Sequence, residues 1–345
     1  MLVDDSAIVR GFMRRWIDED PRSELVKACS DGAQAVAEAA NIRPDVIVLD
    51  IEMPHMDGLS ALPRLRKAAP DARIVMASTL TAAGATQTVK ALALGATDFI
   101  AKPQASAFGS VDSYRRELVE KIVALGERAG VCSIASAPSA AIPLRPRPLI
   151  ATPPAALLVA ASTGGPTALP AFLAPIARRI DAPILIVQHM PASFTPVFAE
   201  KLETAIGKHC REAQEGDTLS SGTVLLAPGD KHMRIARCPA GRMIHIDQGD
   251  PVNYCRPAAD PLFETAAATF GSRLLCVVLT GMGHDGRAGA GKIVEAGGRV
   301  IVQDEATSVV WGMPGAIAQA GYAEAVKPLK ELSQLALHIM SGEAA

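Results

Sequence analysis

The sequence predicts two doubly wound α/β units, each a parallel sheet with helices on both faces, the second carrying a hairpin insertion. Three observations lead there. Short β-branched apolar runs alternate with helical patterns in both halves of the chain, which is the rhythm of βαβ units. That rhythm stops once, in a stretch with six prolines over residues 131–156. Residues able to do chemistry stand at the ends of the apolar runs, where open α/β sheets gather their ligands.

In the first half, a short strand precedes Asp4, and further strands are expected at LVKACS (25–30), DVIVLD (45–50), ARIVMAS (72–78) and TDFIAKP (97–103). Helical patterns fill roughly 6–20, 32–43, 57–69, 84–95 and 110–127. Proline removes backbone donors and pushes its predecessor out of the helical region, so the proline-rich stretch reads as an extended linker. The expected organisation is a first domain at 1–126, a linker at 127–154 and a second domain at 155–345. In that second domain the strands are ALLVAAS (156–162), PILIVQHM (183–190), LLCVVLTG (274–281) and RVIVQD (299–304), each followed by a helical stretch. TVLLAPGD (223–230) and MIHID (243–247) read as the hairpin region.

Composition narrows the function. The 345 residues carry a formal charge of −2 with 20% charged residues, so no basic surface announces a nucleic-acid partner. Although 49% of residues are hydrophobic, no uninterrupted run is long enough to span a bilayer, and the N-terminus does not read as a signal peptide. The six cysteines are scattered without a Cys-x-x-Cys pair, which points to reduced thiols in the cytoplasm rather than zinc or disulfides.

Asp4 and Asp5 follow the first strand and Asp50 closes the third, so a parallel sheet brings three carboxylates to one edge. Converging carboxylates repel and need a counter-ion, and an oxygen-only ligand set with open positions suits Mg²⁺. Lys102 at the end of the fifth strand adds a positive charge, while Ser78 and Thr79 at the end of the fourth can hydrogen-bond a new anionic group. Each Asp alone is explained as a helix cap; six polar residues gathered at strand ends are not.

These residues resemble the receiver domain of two-component response regulators, through VDDS (3–6), LDIEMPHMDG (49–58), Ser78-Thr79 and Lys102-Pro103. The resemblance covers about the first 125 residues. It implies a flavodoxin-like fold, with Asp50 as phosphoryl acceptor, a histidine kinase as donor and Asp5, assisted by Asp4, helping to hold Mg²⁺. Ser78 and Phe99 correspond to the switch residues. Only Met1-Leu2-Val3 precede the acidic pair, a shorter run than the family's first strand.

The second domain admits competing readings. Gly281-x-Gly283-x-x-Gly286 follows a strand and precedes a helix, and Asp304 ends the next strand 18 residues beyond Gly286, as in dinucleotide-binding folds. Against this, Asp285 would set a carboxylate beside a bound pyrophosphate. Alternatively, Ser162, His189 and Asp285 at three strand ends can make a nucleophile, its base and an orienting acid. The glycines around Met282 would then let backbone N–H groups face an oxyanion. Ser162 also reads as a helix cap before Gly-Gly-Pro, and His209, His232, His245 and His284 compete for the role of base.

ASTGGP (161–166), VQHM (187–190), LAPGDKHM (226–233) and LTGMGHDG (279–286) resemble the chemotaxis protein-glutamate methylesterases, which join a receiver, a linker and a Rossmann-like α/β catalytic domain in this order. The resemblance implies Ser162 as nucleophile, His189 as general base and Asp285 as orienting acid, with Thr163 and the Met282 backbone at the active site and oxyanion. It implies hydrolysis of glutamate γ-methyl esters, and deamidation of glutamines, on chemoreceptors, with no cofactor for the esterase step. Such a protein works without direct membrane insertion, and phosphorylation at Asp50 is expected to relieve a restraint by the receiver. Arg256, in VNYCRPAAD (252–260), reads either as a substrate contact or as a surface ion pair. A dinucleotide-binding enzyme and a non-catalytic adaptor are the rival classes.

Overall fold

The computed structural model describes residues 1–103, 110–129, 144–145, 152–239 and 241–342. Most of the expected linker, together with Cys132, lies outside the described residues. The chain divides into two compact units, Met1–Ala137 and Pro138–Ala345.

The first unit runs β1 (Leu2–Val3), α1 (Ala7–Asp18), β2 (Ala28–Cys29), α2 (Gly32–Ile42), β3 (Val46–Asp50), α3 (Gly58–Ala68), β4 (Arg73–Ser78), α4 (Ala82–Ala93), β5 (Asp98–Ala101) and α5 (Ser110–Ala129). Its parallel sheet has the order β2-β1-β3-β4-β5. Short as it is, β1 pairs on both sides, with Leu2 opposite Ala28 and Val48. Both β1 residues are buried, because this strand lies inside the sheet. Side chains cap four of the helices: Ser6, Asp31, Asp57 and Thr81 each accept from a backbone N–H of the following first turn.

The second unit contains β6 (Ala156–Ala161), α6 (Gly165–Leu173), β7 (Ile184–Gln188), α7 (Thr195–Ile206), β8 (Cys210–Glu212) and β9 (Val224–Leu226). The hairpin β10 (His232–Cys238) and β11 (Gly241–Asp247) follows, then α8 (Ala259–Phe270), β12 (Leu274–Val278) and α9 (Arg287–Glu295). The unit ends with β13 (Arg299–Gln303), α10 (Met313–Gln319), β14 (Ala325–Lys327) and α11 (Leu329–Ser341). Its seven-stranded parallel sheet has the order β14-β13-β12-β6-β7-β9-β8. Every residue of β6, β7 and β12 is buried, as expected for central strands covered on both faces. Ala156, Leu158 and Ala160 pack into one core with the hairpin and with α8, α9 and α10. Fully burying a side chain such as Phe263 in that core contributes about 2–3 kcal/mol.

One sequence expectation is corrected here. TVLLAPGD does not pair with MIHID in a hairpin; Val224–Leu226 is a parallel strand between β7 and β8. Its unbroken apolar run is the mark of a strand buried on both faces. The true hairpin partner of β11 is β10, whose alternating burial leaves one face open.

The strand order places the site. From β6 the chain proceeds to β7 on one side, while β12 pairs on the other, so the order reverses at β6. Ala161 stands opposite Gln188, and Ala160 opposite Val278. The residues that leave β6, β7 and β12 therefore meet at a topological switch point, where open α/β sheets bind ligands.

Candidate active site and receiver pocket

Ser162 and His189 are the first residues past two adjacent parallel strands. The strand ends are tied by His189 N–H to Ala161 O (3.1 Å) and Ser162 N–H to Thr280 O (3.0 Å). Buried Gln188 clamps both turns, its amide Nε2 donating to Ser162 O (3.0 Å) and His189 O (3.2 Å). Gly165 makes room for this clamp, since a Cβ there would lie 2.0 Å from Gln188 Oε1 and 2.8 Å from Ala161 Cβ. Gly165→Ala is therefore expected to destabilise the unit by about 1–3 kcal/mol and to lower kcat more than it raises KM. Thermal melting and steady-state kinetics on the same protein check this.

Ser162 does not cap α6. The N-cap is Gly164, held at φ +79°, and no side chain caps this helix. The serine hydroxyl is partly exposed and makes no hydrogen bond among the described residues, so it is left available. Glycine is required on its other flank too, because a Cβ on Gly281 would sit 3.0 Å from Ser162 Cβ and 2.4 Å from Met313 Sδ.

His189 Nε2 lies 2.8 Å from Asp285 Oδ2. Asp285 is 1% exposed, and its carboxylate rests on the N-terminus of α8. It accepts from Ala259 N–H (2.6 Å), Asp260 N–H (3.3 Å) and the Asn253 amide (3.1 Å). Burial alone would raise its pKa. The His189 hydrogen bond and charge, the Ala259 N–H and the Asn253 amide overcome burial and hold it below the usual carboxylate range. For His189, burial disfavours the charged ring, yet Cys255 and Asp285 outweigh it and push the imidazole above the usual histidine range. With Nε2 bound by Asp285, Nδ1 is the ring nitrogen left to move a proton.

Thr163 is buried, and its hydroxyl has no hydrogen-bond partner. Its carbonyl accepts from Thr280 Oγ1 (2.8 Å), which ties the serine turn to the glycine loop. Met282 is partly exposed in that loop. Arg256 points its donors elsewhere: Nε and Nη2 meet Asp230 Oδ1 at 3.0 and 2.7 Å, and Nη1 meets the Gln248 and Gly249 carbonyls.

The glycine loop does lie between β12 and α9, as a dinucleotide fold requires, but its chemistry is turned to other uses. Asp285 faces inward to His189. Asp304, the expected ribose ligand, accepts from Thr307 N (3.0 Å) and Oγ1 (2.6 Å) in its own turn. Asp285 is thus committed to the histidine, and Asp304 to its own turn through Oδ1.

Of three residues that carry this arrangement, the sequence does not single out Asn253 or Cys255, and it offers His232 only as a rival base. Asn253 bridges Asp285 and Asp260. Cys255 Sγ lies 3.3 Å from His189 Nδ1. Fully buried His232 accepts from Ala258 N–H at Nδ1 (3.2 Å) and donates from Nε2 to Asp250 O (3.0 Å), pinning both ends of the segment that holds the other two. That segment has no periodicity to read.

In the first unit, ligand atoms of Asp4, Asp5 and Asp50 lie within 4.8 Å of one another. Lys102 Nζ reaches Asp4 Oδ2 (2.8 Å) and Asp50 Oδ2 (2.7 Å). Burial pushes Asp50 up to about 6, with Asp4 adding to the rise and Lys102 opposing it. An all-oxygen cluster with one exposed member fits Mg²⁺. Ser78 Oγ donates to Gly84 O (3.1 Å) and Thr79 Oγ1 shares a hydrogen bond with Thr81 Oγ1 (3.2 Å). Phe99 is buried, with the Lys121 ammonium 5.5 Å from its ring centre.

Residues 157–336 match the family model of the CheB methylesterase, and residues 1–108 that of the response regulator receiver domain. The chain is 51% identical over 341 residues to a protein-glutamate methylesterase/protein-glutamine glutaminase of Caulobacter vibrioides, covering 96% of each chain. It is 44% identical to one of Rhodopseudomonas palustris, covering 99% of this chain and 94% of that one. Among solved structures, it is similar to the Thermotoga maritima CheB methylesterase catalytic domain. The TM-score is 0.53 at 34% identity, over 55% of this chain and 100% of that one. No described helix is long and apolar enough to cross a membrane. The chain belongs to the CheB methylesterase family, and a response regulator receiver domain stands ahead of its methylesterase domain.

Proposed function

We propose that this chain hydrolyses glutamate γ-methyl esters on chemoreceptors, and deamidates their glutamines, with Ser162 as nucleophile, His189 as general base and Asp285 as orienting acid. The His189–Asp285 pair, its carboxylate buried, stands at the strand end next to that of a serine whose hydroxyl is free of hydrogen bonds among the described residues, and this carries the reading. His189 Nδ1 takes the Ser162 proton as Oγ attacks the ester carbonyl, and the imidazolium then returns that proton to the departing methoxide. Methanol leaves, and water activated by the same nitrogen resolves the acyl-enzyme to a free glutamate carboxylate. The Met282 backbone and the unpartnered Thr163 hydroxyl are the candidate donors to the oxyanion. Each such donor stabilises the transition state by about 3 kcal/mol. Arg256 has a lesser part: its bonds to Asp230 support a structural ion pair more than a substrate contact.

Asp50 is the proposed phosphoryl acceptor, with a histidine kinase as donor. Asp4, Asp5 and Asp50 would hold Mg²⁺, which neutralises the charge that builds up around a transferring phosphoryl group. Lys102 supplies a fixed positive charge beside the product, and Ser78, Thr79 and Phe99 are the groups placed to respond to it. The ordered 1–126, 127–154 and 155–345 organisation joins this input to the esterase output. Phosphorylation then has to favour an active state by differential affinity; a tenfold gain corresponds to about 1.4 kcal/mol. A small phosphodonor such as acetyl phosphate, with Mg²⁺, is expected to raise methanol release from methylated receptor severalfold in the native chain and not in Asp50→Asn. Equal stimulation of both proteins would sink the assignment of Asp50.

A further inference from the structure

Cys255 grips the catalytic histidine from the side opposite Asp285. Its Sγ lies 3.3 Å from His189 Nδ1, the nitrogen the proposed reaction needs for Ser162. Its turn is firmly built: Val252 and Cys255 exchange N–H···O bonds of 3.1 and 2.9 Å, and Asn253 and Tyr254 both hold positive φ, at 52° and 62°. The same turn sends the Asn253 amide to Asp285 Oδ1, so it is registered on both members of the His–Asp pair. Among the described residues, no other cysteine meets a histidine.

We propose that Cys255 is a positioning residue for His189: its sulfur holds Nδ1 in a resting orientation from which the Ser162 hydroxyl must draw the ring before it can be deprotonated. This rests on the reading of Ser162 as nucleophile and His189 as base. A charged ring donates Nδ1–H to the sulfur and Nε2–H to Asp285, so both neighbours favour the imidazolium. The groups facing the ring are Asp285 from the loop after β12 and Cys255 from the turn before α8. Asp260, at the start of α8, lies one step away through the Asn253 amide. A cationic ring aimed at sulfur is not a base, so Cys255 restrains the esterase in the lower part of its pH range.

The test uses the full chain, with methylated receptor as substrate, and compares native protein, Cys255→Ala and Cys255→Ser across pH. Two quantities are read: kcat/KM for methanol release, and the titration of the His189 ring by NMR of labelled histidine, assigned with His189→Gln. Cys255→Ala is expected to move the rising limb of kcat/KM and the ring titration together to lower pH. One unit below the native midpoint, the gain is about threefold or more. Cys255→Ser, which leaves an acceptor oxygen before Nδ1, should fall between. An unmoved limb and titration, or a loss of kcat/KM at every pH without a shift in the ring, would overturn the proposal. Ser162→Ala separates the two readings: activity surviving there would remove the nucleophile, while the ring titration of Cys255→Ala would still decide the role of the sulfur.

Discussion

Ser162→Ala is expected to lower the rate of methanol release by about 10⁶-fold, the scale on which other serine hydrolases lose activity with their nucleophile. What survives is the smaller acceleration that binding and oxyanion donors give to attack by water. The fold should hardly notice. Gly164, not Ser162, caps α6, and the serine hydroxyl makes no hydrogen bond among the described residues, so the melting temperature should stay near native. His189→Gln should fall to a similar level, and the double variant no further, because the two residues act as one unit. A serine serving only as a turn residue would show the reverse, a lower melting temperature with turnover retained.

Asp285→Ala is the second large effect, and here stability and catalysis fall together. The carboxylate receives the Ala259 and Asp260 N–H groups, the Asn253 amide and the His189 ring. Alanine takes this acceptor from all of them, and removing one partner of a buried charged pair is expected to cost about 3–5 kcal/mol. Asp285→Asn keeps the shape and should cost less stability, yet still about 10⁴-fold in kcat, because an amide no longer selects the ring tautomer. The pH dependence has a definite sign. With its pKa held below the unfolded value, Asp285 stabilises fully above about pH 4, and the contribution is lost as pH falls through the lowered value. Denaturant titrations across that range should show an acid-sensitive component in the native chain that Asp285→Asn lacks.

Much of this was legible because the chemistry stands where apolar runs end. The runs that close in Asp50, Ser162, His189 and, after the glycine loop, Asp285 define strand ends, and parallel pairing brings strand ends together. The rest was hidden for physical reasons. Three-residue strands such as Cys210–Glu212 and Ala325–Lys327 are too short to show a period. Asn253, Cys255 and His232 owe their places to tertiary hydrogen bonds, which leave no local pattern. Ser162 was ambiguous for a related reason. Ser-Thr-Gly-Gly-Pro suits a capped helix, and only the fold shows why glycine takes the cap position: φ at Gly164 is +79°, and a Cβ there would lie 2.6 Å from Val309 Cβ.

The most direct test of the central assignment is to trap the covalent intermediate. The full chain is mixed with a methylated receptor peptide, quenched in acid within one turnover, digested and mapped by mass spectrometry. The acyl group is expected on the peptide that contains Ser162, formed with a stoichiometric burst of methanol. An adduct on Cys255, or a methanol burst with no adduct at Ser162, would contradict it.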